Sequence, residues 1–102
     1  MEKIYVIVKH PDEYIGHIEE IDNELKACQR VVGGNIETLQ LASDLVILCN
    51  EEGRILNLPY NCFLFGQHLV GTIMVVGVEG KEFTDVPIGL DRWERILHGR
   101  QP

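Results

Sequence analysis

The chain has 102 residues, 45% of them hydrophobic and 25% charged, and sixteen Asp and Glu against nine Lys and Arg give a formal net charge of −7. That length supports one domain with a modest core, and the acidity argues against direct, backbone-driven nucleic-acid binding, which rests on basic patches. No apolar run approaches the roughly eighteen residues of a membrane span, and Met1-Glu2-Lys3-Ile4-Tyr5 lacks the basic region and long apolar core of a secretory signal, so the expected location is the cytoplasm.

In chain order, Ile4 to Lys9 is rich in β-branched residues and stops at His10-Pro11-Asp12, which predicts a first, central strand. His17 to Ile21 predicts a short second strand. Asp22 is the expected N-cap of a helix from Asn23 to about Val32, with Leu25, Cys28 and Val32 on its buried face and Lys26, Gln29 and Arg30 pointing away. Gly33 ends that helix, since glycine takes the left-handed conformation at low cost. A strand from Asn35 to Leu41 follows. Leu45 to Cys49 and Arg54 to Leu56 are expected to form a hairpin around Asn50-Glu51-Glu52-Gly53, with Gly53 as the left-handed residue of a bulge.

The segment from Leu58 to Gly66, interrupted by Pro59, is expected to leave the sheet and lay its aromatic residues over the core. Gly71 to Val78 predicts another strand, breaking at Glu79-Gly80. Leu90, Trp93 and Leu97 at helical spacing predict a final helix on the sheet, with Trp93 as its core anchor. The expected fold class is α+β: a single domain over residues 1–102, a mostly antiparallel sheet with two packed helices. Cys28, Cys49 and Cys62, odd in number and without C-x-x-C spacing, predict reduced, buried thiols. His10, His17, His68 and His98 are scattered singly, so neither a metal nor a cofactor is expected.

Several ordered motifs carry a resemblance. Val31-Val32-Gly33-Gly34-Asn35-Ile36-Glu37, the Asn50-Glu51-Glu52-Gly53 turn, Leu58-Pro59-Tyr60-Asn61 and Gly71-Thr72-Ile73-Met74-Val75-Val76-Gly77 resemble the family called domain of unknown function 3846, over roughly residues 4 to 86. Asn35 departs from the pattern, an aromatic residue being frequent there. The resemblance implies a small protein of bacteriophages, plasmids and integrated elements, largely of Gram-positive hosts, and no established chemistry. Such elements carry many small acidic proteins that act against host defence, by sequestering a nucleotide signal or by binding a defence protein.

Candidate site residues follow from side-chain chemistry. Asn57 and Asn61 flank the rigid Pro59, and their amides suit a purine edge or ribose, with Tyr60 available to stack. Arg92 and Arg95, joined by Lys9 or Arg54, have the charge to clamp a phosphate. Gly33 and Gly34 offer consecutive backbone N–H groups as an anion-binding nest, although a helix C-cap serves equally as their reason. Glu19, Glu20, Glu37, Glu51 and Glu52 have no histidine or serine beside them in a nucleophile pattern, and read as a solvated face.

These features lead to a non-enzymatic protein that binds and sequesters a small nucleotide-like ligand, as a homo-oligomer whose pockets form between subunits. The alternative is an acidic protein-interaction module that inhibits or regulates a host enzyme, a reading motivated by the net charge.

Overall fold

The unbroken apolar runs along residues 4–8 and residues 45–49 both demand a sheet with material on its two faces. The computed structural model describes residues 2–99. Its elements in chain order are β1 (Lys3–Lys9), β2 (His17–Asp22), α1 (Leu25–Val32), β3 (Ile36–Ala42), β4 (Leu45–Asn50), β5 (Tyr60–Leu64), β6 (Gln67–Val70), β7 (Ile73–Glu79), β8 (Glu82–Thr84) and α2 (Leu90–His98). The main sheet runs β2-β1-β7-β4-β3, all antiparallel, and β8 pairs with β7 beyond the point where the pairing of β7 with β1 ends. Strands β5 and β6 form a separate antiparallel ribbon. The architecture is α+β, as the periodicities predict.

Side chains alternate across the sheet. Ile4, Val6, Val8, Val46, Leu48, Met74 and Val76 face α1, which closes over them with Cys28 and Val32. Ile7, Leu45, Ile47, Ile73 and Val75 face the other way, under Trp93 and Leu97 of α2 and Cys62, Leu64 and Leu69 of the ribbon. Each such aliphatic side chain contributes about 1.5–3 kcal/mol when fully buried. Two covered faces explain why β4 is buried at all six positions.

Four local expectations are corrected. Leu45 to Cys49 is an interior strand paired with β3 and β7, so its hairpin is with β3 across Ser43-Asp44 and not with Arg54 to Leu56, and residues 51–57 form turns instead of a returning strand. Asp22 does not cap α1: it ends β2 and pairs with Lys3 at 2.7 Å, and the N-cap is Glu24, which makes no side-chain cap bond. With the helix starting at Leu25, the buried stripe is Ala27, Cys28 and Val32, and Leu25 is exposed. The ribbon does leave the main sheet, but it buries Cys62 and Leu64 and turns Tyr60, Phe63 and Phe65 outward.

Candidate functional site

The loop that joins β4 to the ribbon is shaped by one helical turn. The N–H of Leu58 donates to the carbonyl of Gly53 at 2.9 Å, and the N–H of Asn57 to that of Arg54 at 3.1 Å. These are the paired closing bonds of a helix end whose residue beyond the cap is left-handed, and Asn57 occupies that position at φ 57. Asparagine tolerates this conformation better than other residues with a side chain, which is a backbone reason for its presence. Ile55 and Leu56 are left on the outside of the turn, Ile55 being 82% exposed.

Asn61 faces inward. Its Nδ2 donates to the carbonyls of Lys9 (2.9 Å) and Gly71 (2.8 Å), and its Oδ1 accepts from Lys9 Nζ at 2.8 Å. Both donors of the carboxamide are spent inside the fold. Burial pushes the Lys9 ammonium below the ordinary lysine value, against the opposing pull of Cys62, Glu13 and Asp12. Lys9 is therefore an interior strut, not an arm of a phosphate clamp.

Gly33 and Gly34 are likewise occupied. Gly33 stands at φ 83, and the N–H groups of both glycines converge on the carbonyl of Gln29, at 2.8 and 3.0 Å. That is a helix stop, and it leaves no nest. Gly33 and Pro59 do line one shared cleft of about 310 Å³, walled by Val32, Leu56, Leu58 and Thr72. Arg92 lines a different cleft of about 220 Å³, beside Leu41, Phe65 and Ile96. Arg95 is exposed and sits 3.9 Å from Asp91 on its own helix. The two arginines are thus not gathered with the 57–61 loop around one cavity.

Sequence reasoning missed a third cleft of about 350 Å³, where β4 meets β6 and the 51–57 turn. Glu37, Cys49, Arg54, Gln67 and His68 line it. Arg54 donates to the carbonyl of His68 at 2.9 Å, and the His68 ring meets Phe63 edge-on at 4.7 Å and Tyr60 at 5.8 Å. The pairing of β5 with β6 and the seating of β6 beside β4 bring these groups together, and no sequence spacing announces that.

The cysteines are held as thiols. Burial and the Glu37 carboxylate push Cys49 up to about 11, burial pushes Cys62 up to about 11 against the pull of Lys9, and burial also raises Cys28. All three are free and buried. A thiol with that pKa is a poor nucleophile near neutral pH. Among the described residues no group of three or more His, Cys, Asp or Glu is placed to hold a metal ion, and no helix is long and apolar enough to cross a membrane.

The sequence profile of one family matches residues 2–98, and that family is described as a domain of unknown function, DUF3846. The chain belongs to the DUF3846 family. No curated protein and no solved structure is similar enough to this DUF3846 chain to count as a match.

Proposed function

We propose that the chain is a non-enzymatic, acidic interaction module that docks on another protein through the outer side of the β5–β6 ribbon and the neighbouring 51–60 segment. The observation that carries this reading is Phe65. Leu64 pairs with Gln67, so Phe65 and Gly66 are the two central residues of a tight hairpin turn, with φ of 46 and 80. Such a turn favours Asn, Asp or Gly at both positions. A bulky ring at a left-handed position costs about 1–3 kcal/mol, and strain of that kind gathers where a side chain serves a contact. Phe65 is 52% exposed, so the fold itself recovers only part of what its ring offers.

Tyr60 and Phe63 stand exposed on the same ribbon, and Ile55 and Leu56 are exposed on the adjoining turn. Aromatic side chains of this kind form the centres of protein interfaces. Glu51 lines the adjoining cleft with Ile55 and adds negative charge there. The complementary surface is an apolar pocket bordered by lysine and arginine, a chemistry found where proteins face nucleic acid. In the mobile-element setting that the family resemblance implies, a protein of the bacterial host cytoplasm is the partner to seek.

The test is affinity capture from host lysate with the wild-type chain and a Tyr60→Ser/Phe63→Ser variant, read by quantitative mass spectrometry. Titration calorimetry on the purified partner follows. The expected result is a partner held by the wild type, bound at least about tenfold more weakly by the variant, and weakened by added salt. Equal binding by two equally stable proteins would remove the ribbon from this reading.

Sequestration of a small nucleotide-like ligand is the second reading. It is supported by the exposed Tyr60 ring beside the cleft that Arg54, Gln67 and His68 line, which joins a stacking surface to hydrogen-bond donors. Native mass spectra of freshly purified protein separate the two readings. A nucleotide-sized adduct that Tyr60→Ala abolishes favours the ligand, and a bare species unshifted by a nucleotide panel favours the protein partner.

A further inference from the structure

Apart from the short β8, the path of the main sheet ends in two border strands among the described residues, β2 and β3, and they differ in charge. Strand β2 reads His17-Ile18-Glu19-Glu20-Ile21-Asp22, three carboxylates in six residues. From Ile36 to Ser43, β3 and the start of its turn carry a single ionisable residue, Glu37. Asp22 is paired with Lys3 and Glu19 with His17, so the β2 border is guarded by a row of charged side chains, Glu20 among them, whereas β3 lacks that protection.

The ladder decides which peptides of β3 face outward. Glu51 N–H donates to the Asn35 carbonyl at 2.9 Å, in register with the β3–β4 pairing. Bonded pairs alternate in an antiparallel ladder, so 37 with 49 and 39 with 47 are bonded as well. The N–H and C=O groups of Ile36, Thr38 and Gln40 therefore point away from β4, along the border. The bulge between Gln40 and Ala42 ends this row, and there the Gln40 side chain caps the Ala42 carbonyl at 2.6 Å.

We infer that two copies of the chain pair β3 against β3, antiparallel, about a twofold axis at Thr38, joining their main sheets into one. This register uses all three outward peptides, with Ile36 bonded to Gln40 of the second copy and Thr38 to its own equivalent. It sets Glu37 opposite Leu39 of the second copy. Shifting the axis to Glu37 would oppose two carboxylates, which is destabilising in a ladder. Shifting it to Leu39 would ask the bulged Ala42 to pair with Ile36. The chosen register also extends the sheet over Leu39 and Leu41, which are only half-buried at the border of the core. This surface is separate from the outer side of the ribbon, so the two can be tested apart.

Sedimentation equilibrium of the full chain tests the inference, with Thr38→Lys and Thr38→Glu as variants. Thr38 is exposed and its peptide leaves the β3–β4 ladder untouched, so both variants keep the fold, as matching far-ultraviolet spectra would show. The wild type is expected to be a dimer at micromolar concentration. Each variant alone is expected to associate at least tenfold more weakly, because like charges then stand opposite across the axis. Mixing the two, with one isotopically labelled, is expected to restore a one-to-one heterodimer in native mass spectra. A monomeric wild type overturns the inference, and so does a dimer that neither variant weakens.

Discussion

Lys9 Nζ donates to Asn61 Oδ1 at 2.8 Å in the interior, and Asn61 returns two hydrogen bonds to the carbonyls of Lys9 and Gly71. One carboxamide thereby ties β1 to β5 and to the turn that precedes β7. The contact spans residues 52 apart in sequence and fixes where the ribbon sits on the sheet.

Asn61→Ala would leave an ammonium and two carbonyls buried without their partner. Leaving a buried charge without its partner costs about 3–5 kcal/mol, and the neutral acceptor here puts the expected loss nearer the lower figure. Urea denaturation at neutral pH measures it. A loss below about 1 kcal/mol would mean that water or a rotated Lys9 replaces the carboxamide.

His17 sits between two carboxylates, with Nδ1 2.8 Å from Glu13 and Nε2 2.9 Å from Glu19. Its bond to Glu13, then its bond to Glu19, raise its pKa above 6.5 against a weaker effect of burial. A folded value above the unfolded one gives stability that is complete below 6.5 and lost as pH rises through the folded value. His17→Ala is therefore expected to melt below the wild type at about pH 6, with the gap narrowing toward about pH 8. A gap that does not change with pH would show that His17 acts by packing alone.

Gly33 and Gly34 differ in what a side chain would meet. At Gly33 a methyl group has nothing nearer than the Asn50 amide at 3.9 Å, so Gly33→Ala suffers only left-handed strain, about 1 kcal/mol. At Gly34 the methyl would lie 2.8 Å from Asn50 Nδ2. Asn50 is held by the Val32 carbonyl and the Glu52 N–H, so Gly34→Ala should cost about 1–3 kcal/mol through crowding. Thermal melts of both variants rank them. Gly33→Ala as the worse of the two would contradict this assignment.

Phe65→Asn places a residue suited to the left-handed turn where Phe65 now stands. The variant is expected to match the wild type in stability or exceed it by up to about 1 kcal/mol, while binding the partner more weakly. Scanning calorimetry and the capture assay measure the two effects. A clear loss of stability would show that the ring supports the fold from the cleft it shares with Leu41 and Ile96.

How much of this was legible in the residues depends on the range of the interactions involved. Helix α2 was, because Leu90, Trp93 and Leu97 repeat locally at the helical period. The identity of β4 as a strand was, but its neighbours were not. Asn50-Glu51-Glu52-Gly53 fits a hairpin turn locally, yet β3 and β7 supply longer pairings, and the chain spends Gly53 and Asn57 on a helical turn instead. The ribbon was half legible: Pro59 argued against the main sheet, but Phe65-Gly66 lacks the usual chemistry of a tight turn. Asn61 was misread because a carboxamide that serves a ligand and one that serves a buried lysine look alike until the fold places Lys9 beside it.

Helix α2 is held at its far side by the 10–16 loop: Trp93 Nε1 donates to the Ile15 carbonyl at 2.8 Å, and Tyr14 stacks on His98 with ring centroids 3.9 Å apart. These partners lie 78 residues or more apart along the chain. Closing so long a loop is entropically slow, and little stabilisation arrives before both ends meet. The part of the layer over Ile7, Ile73 and Val75 that Trp93 and Leu97 supply can therefore close only after α2 has been made, whereas Cys62, Leu64 and Leu69 of the ribbon are available earlier to cover the rest.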